Sequence, residues 1–244
     1  MGVSKLRGWI AKKTIGVIGG VSTEATAIYY KLINAGVRQR LGGFYSAEMR
    51  IHSVNFHDYN SAHERQSWDF VTSGFDRAAK GLAASGADFL VLACNTLHKV
   101  ADAIETATPL PFLHIVDACG DQLVSDGRKR PALIGTAFTM ADNYFVDRLT
   151  NRTGLSPIRP DGETQAELSR SIFDELTYGI VKSESVDYYI QVAQALKDAG
   201  ADSLIKGCTE LGMLLNEENC PLPPYDTARI HCQAIVDRAL GGTE

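Results

Sequence analysis

Two cysteines in similar sequence surroundings are the residues best suited to carry chemistry. Cys94 ends the apolar run FLVLAC and is followed by Asn95 and Thr96. Cys208 ends the segment DSLIKGC and is followed by Thr209. A short apolar run that gives way to polar residues indicates a buried strand whose end opens towards a ligand. We therefore interpret the two cysteines as thiols at the ends of two strands.

Two thiols on opposite sides of a carbon acid could invert its stereocentre. One sulfur would remove the proton while the other delivered a proton to the opposite face, with the roles exchanging in the reverse direction. Backbone N–H groups at the start of a following helix favour negative charge and can lower a thiol pKa from its usual value of about 8.5. We therefore expect Cys94 and Cys208 to be thiolates or close to it. Cys119, Cys220 and Cys232 are interpreted as structural, because cysteine is often buried.

The segments around the two cysteines repeat one pattern. In ASGADFLVLACNT and DAGADSLIKGCT, each cysteine lies eight residues after the glycine of a Gly-Ala-Asp triplet, Gly86 or Gly200. Separately, the segments GVIGG and ALIGT place Gly19 and Gly135 at similar points of two predicted strands. The cysteines are 114 positions apart and this second pair of glycines 116. Two landmarks with nearly equal offsets indicate two halves of similar architecture, with both thiols facing one cleft.

Strands alternate with helices along the chain, which predicts an α/β fold with mostly parallel sheets covered by helices on both faces. The first helix begins after Ser22, a good N-cap residue, and ends at Gly42. The segment around His57 and His63 is predicted as a loop. The predicted strands are KTIGVIGG, SAEMRIHSV, FLVLAC, PFLHIV, RPALIGT, residues 155–158 and DSLIKGC, and the later helices span 137–150, 164–179, 184–199 and ARIHCQAIVDRAL.

Composition narrows the class of protein. The 244 residues include 24 basic and 29 acidic side chains, which give a formal net charge of −5. This negative charge and the lack of a clustered basic stripe argue against nucleic-acid binding. No apolar run approaches the roughly 20 residues of a membrane helix, so we expect no membrane contact. Residues 1–13 lack the apolar centre of a signal peptide and are interpreted as a short extension that could form an interface helix. Five cysteines without a CxxC pair favour a reducing cytoplasm.

Three motifs carry a resemblance that extends over essentially the whole chain after its first dozen residues. TIGVIGGVSTEATAIYYKLIN, LACNTLHKVADAIE and IKGCTELGMLL resemble signatures of the aspartate/glutamate racemase superfamily, in its pyridoxal-phosphate-independent amino-acid racemase branch. CNT and GCTE together, at this separation, are specific, whereas either alone is weak. The resemblance implies two α/β domains related by a pseudo-twofold axis, with the active site in the cleft between them. We expect a first domain of residues 1–112 plus 223–244 and a second of residues 113–222.

The resemblance also implies an activity, the interconversion of L- and D-amino acids without a cofactor or a metal. In such relatives the second cysteine takes the proton of the L-isomer and the first that of the D-isomer, roles that fall on Cys208 and Cys94. A small amino-acid substrate and a homodimer are implied. Strand alternation puts His52 on the same face as Arg50, and His52 is predicted near the substrate. The predicted substrate-binding residues are Val21, Ser22, His52, Asn95, Thr96, Thr136, Thr209 and Glu210.

The sequence differs from its relatives in two segments that we expect to contact the substrate. Many relatives have GGMSWEST where this chain has GGVSTEAT, so Val21 and Thr23 would alter the cleft wall. Several relatives carry a basic residue that helps to hold a side-chain carboxylate, but the matching segment DGETQAELSR is largely acidic and Arg170 is its one base. Arg50 could substitute for it. We therefore expect a range of amino acids broader than aspartate.

Several alternatives stay open at this point. Cys94 and His98, four residues apart, could hold zinc with Cys208, although His98 fits better as a neighbouring hydrogen-bond donor. Glu210 could cap the helix that follows it or bind the substrate ammonium. One cysteine could instead serve maleate isomerisation or malonate decarboxylation on the same scaffold, and the protein could be an amino-acid-binding sensor without catalysis. Proton exchange at an amino-acid α-carbon would distinguish these functions.

Overall fold

The first half of the chain builds a parallel sheet around a central strand. The computed structural model describes residues 12–241, apart from the side chains of His63 and Glu64. β1 (Ile15–Gly19) lies between β2 (Met49–Ser53) and β3 (Phe89–Leu92), and all residues of β1 and β3 are buried, as expected when helices cover both faces. The helices of this half are α1 (Thr23–Leu41), α2 (Phe56–Glu64), α3 (Trp68–Ala84), a 3-10 helix (Thr96–Val100) and α4 (Ala101–Ala107).

The second half builds another parallel sheet. β5 (Ser203–Gly207) is its central strand and pairs with β4 (Pro131–Gly135) on one side and with β6 (Pro224–Asp226) on the other. The helices of this half are α5 (Ile115–Ser125), α6 (Ala137–Ala141), α7 (Asn143–Thr153), α8 (Gly162–Asp174), two 3-10 helices (Leu176–Tyr178 and Thr209–Met213) and α9 (Ser183–Asp198), and α10 (Thr227–Ala239) follows β6. The predicted α/β class with parallel sheets flanked by helices is confirmed.

The two sheets share one register. Ile15 of β1 pairs with Phe89 of β3, and Pro131 of β4 pairs with Ser203 of β5. β1 corresponds to β4 and β3 to β5 under the offsets found in the sequence. Both cysteines therefore follow equivalent strands, which is the arrangement that the repeated segments predict.

The Gly-Ala-Asp triplets perform the same structural task in both halves. Each glycine has a positive φ, 87° and 93°, which glycine adopts without strain. Each aspartate then caps the start of the neighbouring strand: the Thr14 N–H donates to Asp88 Oδ2 at 2.6 Å, and the N–H groups of Lys129 and Arg130 donate to Asp202 Oδ2 at 2.6 and 3.0 Å. The repeat thus fixes how β3 and β5 enter their sheets.

Helix α10 joins the two halves. It follows β6 in the second sheet and packs against α1 and α5. Cys232 and Ile235 of α10 belong to the core cluster of β1, β3 and α1, and Ile230 packs against the cluster of α5, α7 and β4. Cys119 of α5 is also fully buried, so burial fits the structural interpretation of Cys119 and Cys232.

Several predicted elements differ in the structure. Residues around His57 form α2 rather than a loop, and α5 was not predicted. The predicted strands PFLHIV and 155–158 are reduced to single bridges at Phe112 and Ile158. The predicted helix over 137–150 is divided at Asp142, whose Oδ1 accepts the Tyr144 N–H at 3.1 Å and starts α7.

One predicted boundary shifts. The sequence-based division assigns residues 224–226 to the first domain, but these residues form β6 and pair with β5, so the second sheet extends past residue 222. Only the helix after β6 returns to the first half. Residues 1–11 of the proposed interface helix lie outside the described residues. Within residues 12–241, no helix combines the length and the apolar character that crossing a membrane requires.

Candidate active site

Cys94 and Cys208 line the same cavity, at the carboxyl ends of the two sheets. Cys94 lies between β3 and its 3-10 helix, and Cys208 between β5 and its 3-10 helix. The cavity has an empty volume of about 610 Å³, counted to its open mouth. Its other lining residues are Val21, Ser22, Phe56, Tyr59, Asn60, Asn95, Thr96, Leu97, Thr136, Ile172, Phe173, Thr177, Thr209 and Glu210.

The structure brings together all but one of the residues predicted to bind substrate. Seven of the eight line this cavity, and His52 does not. β2 is the edge strand of the first sheet, and the side chain of His52 is exposed to solvent. Thr23, expected in the cleft wall, is also exposed and outside the lining. His52 and Thr23 therefore lie outside the cavity in which the other predicted residues meet.

The two arginines considered as side-chain ligands also lie elsewhere. Arg50 donates to the Ser85 carbonyl at 3.2 Å and to Glu48 at 3.1 Å. Arg170 is exposed and forms ion pairs with Glu167 and Asp174. Neither lines the cavity, so neither is placed to receive a carboxylate there.

Glu210 connects the second thiol to the first half of the chain. The Cys208 thiol donates to Glu210 Oε2 at 3.0 Å, and the Ser22 hydroxyl donates to Glu210 Oε1 at 3.1 Å. Ser22 also caps α1, since its Oγ accepts the Ala25 N–H at 3.1 Å. Glu210 is only 4% exposed. This carboxylate is thus held between the N-terminus of α1 and Cys208, a role that neither sequence alternative for Glu210 included.

Both thiols are less acidic than the sequence predicts. Burial raises the pKa of Cys94 to about 12, although backbone N–H groups of Leu97 and Thr96 act in the opposite direction. Burial and then the negative charge of Glu210 raise the pKa of Cys208 well above its usual value. The expectation of resting thiolates is therefore wrong, because desolvation outweighs the few N–H donors of a short 3-10 turn.

Asn95 presents unpaired polar atoms inside the cavity wall. Its Nδ2 and Oδ1 are both buried and have no hydrogen-bond partner among the described residues. Buried polar groups are nearly always paired with protein, water or ligand. An amide that can both donate and accept is suited to a zwitterion, so Asn95 is a strong candidate for contact with a bound amino acid.

A group of hydroxyls connects the two halves of the chain beside the cavity. Thr96 Oγ1 lies 3.4 Å from Thr136 Oγ1 and 3.3 Å from Thr139 Oγ1, and the Thr136–Thr139 pair is 3.1 Å apart. The Tyr144 hydroxyl donates to the Asn95 carbonyl at 3.1 Å. Thr96 and Asn95 follow β3, whereas the other three belong to the second half, so these bonds hold the two strand-end loops together.

The geometry of His98 does not favour zinc. Its Nδ1 lies 2.5 Å from the carbonyl oxygen of Cys94, and its Nε2 accepts the Ile115 N–H at 3.4 Å. Both ring nitrogens are thus directed at backbone groups and not at a thiol. Among the side chains described, no group of three or more His, Cys, Asp or Glu residues could hold a metal ion.

Sequence reasoning missed the apolar walls of the cavity. Phe56 and Tyr59 come from α2, and Ile172 and Phe173 come from the last turn of α8, with Thr177 in the 3-10 helix beyond it. The spacing of Phe56 and Tyr59 is the one sequence signal that they share a helix face. Nothing in the sequence around α8 indicates that its end faces the cysteines.

The fold and the cavity define an α/β protein with a two-cysteine cleft between paired halves, and comparison with known proteins identifies the family. The profile of the Asp/Glu/Hydantoin racemase family matches residues 18–235, and the chain belongs to this family. It is 26% identical over 168 residues to the broad specificity amino-acid racemase RacX of Bacillus subtilis (strain 168), covering 68% of this chain and 70% of RacX.

Solved structures show the same family relationship. The crystal structure of an Asp/Glu racemase family protein from Yersinia pestis matches with a TM-score of 0.88 and 38% identity, over 93% of this chain and 99% of that one. PH1733 of Pyrococcus horikoshii OT3, an aspartate racemase homologue, matches with a TM-score of 0.83 and 29% identity, again over 93% and 99%.

Proposed function

We propose that the protein is a cofactor-independent amino-acid racemase that moves protons between its two cavity cysteines. The observation that carries this proposal is that Cys94 and Cys208 follow equivalent strands of the two sheets and line one cavity. Two acid–base groups from opposite halves meet the requirement of inversion, which needs an acceptor on one face and a donor on the other. Family membership supports the same reaction class.

The proton balance assigns a role to Glu210. Both thiols are neutral at rest, so one must lose a proton before it can act as a base. Glu210 accepts the proton of Cys208 along the existing hydrogen bond, which gives a thiolate and a neutral carboxylic acid. Cys208 then takes the α-proton of the L-isomer and Cys94 gives its proton to the opposite face. This step leaves Cys94 as a thiolate, which takes the α-proton of the D-isomer in the reverse reaction. Cys208 then gives its proton to the opposite face and recovers the proton that Glu210 holds.

The polar rim holds the zwitterion in this scheme. Asn95 offers an unpaired amide, and the hydroxyls of Thr96, Thr136 and Thr209 line the same region. Such donors bind the substrate carboxylate and stabilise the negative charge that develops when the α-proton leaves. The thiol mechanism requires reduced cysteines, so we also propose a cytoplasmic location; the homodimer remains a prediction.

Solvent exchange at the α-carbon tests the reaction class. Purified enzyme without added cofactor is incubated in deuterated water with each enantiomer of a panel of amino acids, and deuterium incorporation and optical rotation are followed. Loss of the acid–base group in Cys94→Ser or Cys208→Ser should reduce racemisation by about 10²–10⁴-fold. Cys220→Ser is the matched control, because Cys220 lies outside the cavity. Absence of exchange with every amino acid would contradict the proposal and leave a decarboxylase, an isomerase or a sensor.

A second variant tests the role of Glu210. Glu210→Gln keeps the size of the side chain but cannot accept the thiol proton, so we expect kcat to fall at least about tenfold with a smaller change in KM. Ser22→Ala removes the second hydrogen bond of Glu210 together with the N-cap bond of α1 but keeps the thiol–carboxylate pair, so it should lower kcat less than Glu210→Gln does. Equal kcat values for Glu210→Gln and the unmodified enzyme would exclude Glu210 as the proton acceptor.

A further inference from the structure

The cavity has two chemically different parts. Its polar part lies at the strand ends and contains both cysteines with the serine, asparagine, threonine and glutamate residues described above. Its apolar part comes from Phe56 and Tyr59 of α2, and from Ile172 and Phe173 at the end of α8. Because the reacting carbon must lie between the thiols, the polar part receives the ammonium and carboxylate. The substrate side chain must therefore extend into the apolar part.

An acidic side chain would have no ionic partner there. Glu210 is the one charged residue among those that line the cavity in the described chain, and its charge has the same sign as an aspartate or glutamate substrate. Arg50 and Arg170 are directed at other groups outside the lining. Burying a carboxylate without a partner is strongly unfavourable.

An apolar substrate side chain, in contrast, would gain favourable free energy from burial in the apolar part of the cavity. Tyr59 stacks on Phe75 with ring centroids 5.2 Å apart, so the α2 wall is held by the core of the first half. Ile172 is 1% exposed and is fixed in the core of the second half. Phe173 is 40% exposed and lies at the opening. A wall of well-packed apolar side chains favours aliphatic or aromatic substrate groups, because burying such groups is stabilising.

We propose that the substrates of this site are amino acids with neutral, predominantly apolar side chains, and that the α2 and α8 walls determine this specificity. The inference rests on the proposed racemase function and extends it to the class of substrate. Thr177, half-buried beside Phe173, lies where a single basic residue would supply a cation to an acidic side chain.

The exchange panel separates this inference from the proposed function. Leucine, methionine and phenylalanine should exchange their α-protons with kcat/KM at least about 100-fold above aspartate and glutamate. If no amino acid exchanges, the racemase proposal fails. If aspartate or glutamate is the best substrate, racemisation stands and the neutral side-chain inference is overturned.

A designed variant tests the cause of the preference. Thr177→Arg should raise kcat/KM for aspartate or glutamate at least about tenfold and lower it for leucine, because it supplies the missing cation. Thr177→Met is the control of similar length without charge and should leave the preference for neutral substrates in place. Circular dichroism verifies folding, and Phe173→Arg, at a more exposed position of the same wall, gives an independent second test. No gain with acidic substrates in either folded arginine variant would overturn the assignment of this wall.

Discussion

Mild acidification should destabilise the protein through three buried histidines. His98, His114 and His231 form a cluster behind Cys94, with ring centroids 4.4 Å apart for His98 and His114 and 6.1 Å for His98 and His231. Tyr29 Oη lies 2.8 Å from His231 Nδ1, and His231 Nε2 lies 2.9 Å from a backbone carbonyl oxygen. The cluster joins α1, α5 and α10 at the junction of the two halves, so its protonation acts on the whole fold.

The expected magnitude follows from the pKa values. Burial lowers the pKa of all three histidines, to about 2 for His114 and about 4 for His231, and well below the usual value for His98. In the unfolded chain a histidine titrates near 6.5, so below that pH the unfolded state binds protons that the folded state does not. Stability therefore falls as the pH falls, by about 1.4 kcal/mol per pH unit for each histidine. The three together give about 4 kcal/mol per unit between about pH 6 and 5, a large part of the usual 5–15 kcal/mol of stability.

Urea unfolding at a series of pH values between about 7.5 and 5 measures this slope. The range lies above the region where most carboxylates titrate, near pH 4, so histidine protonation dominates it. His114→Asn should remove about 1.4 kcal/mol per pH unit from the slope, because asparagine preserves the N-cap bond that His114 Nδ1 accepts from the Val116 N–H and does not titrate. A free energy of unfolding that stays level from pH 6.5 to 5 would refute the reasoning.

Two further predictions concern stability. Lys206→Met removes the buried ion-pair partner of Asp226, whose Oδ2 lies 3.0 Å from Lys206 Nζ. We expect the free energy of unfolding in urea titrations to fall by about 3–5 kcal/mol. Adding Asp226→Asn to this variant should restore part of the loss, because it removes the unpaired charge. Gly20→Ala should lower the free energy of unfolding by about 2–5 kcal/mol, because φ at Gly20 is 88° and the new Cβ would lie 2.2 Å from the Val54 carbonyl oxygen. Gly42 has a similar φ but open space around it, so Gly42→Ala should lose only about 1–2 kcal/mol by the same measurement. Equal losses at the two glycines would contradict the steric explanation.

The sequence predicts those parts of the fold and of the site that depend on interactions between residues close together in the chain. Ser22 caps α1 as expected, and the Gly-Ala-Asp triplets locate both catalytic candidates through their fixed distance to Cys94 and Cys208. Strand β6, by contrast, is three residues long within a proline-rich segment and has no periodic pattern of its own. Its pairing with β5 depends on contacts that are distant in sequence.

The failures have identifiable physical causes. The run PFLHIV is equally compatible with a strand and with the start of a buried helix, and the structure uses its last residues, from Ile115, to begin α5. Strand alternation predicts which face of β2 carries His52, but it does not predict whether other elements cover the side chains of an edge strand. The thiol pKa values depend on how closely Cys94 and Cys208 pack against the core clusters of their halves, and the residues next to each cysteine in the sequence do not determine that packing.

Near-symmetry of the fold does not make the two thiols equivalent. Cys208 donates to Glu210, whereas the pKa of Cys94, raised mainly by burial, is moderated by backbone N–H groups. Enantiomers have equal free energies in water, so under the proposed racemisation kcat/KM must be the same in both directions at every pH, whatever the asymmetry of the site. Unequal thiols can therefore affect only the separate values of kcat and KM, and the rate at which each enantiomer exchanges its proton with solvent. The hydrogen bond between Cys208 and Glu210 thus affects how fast each thiol exchanges its proton. The paired sheets, in contrast, place one thiol on each face of the substrate α-carbon.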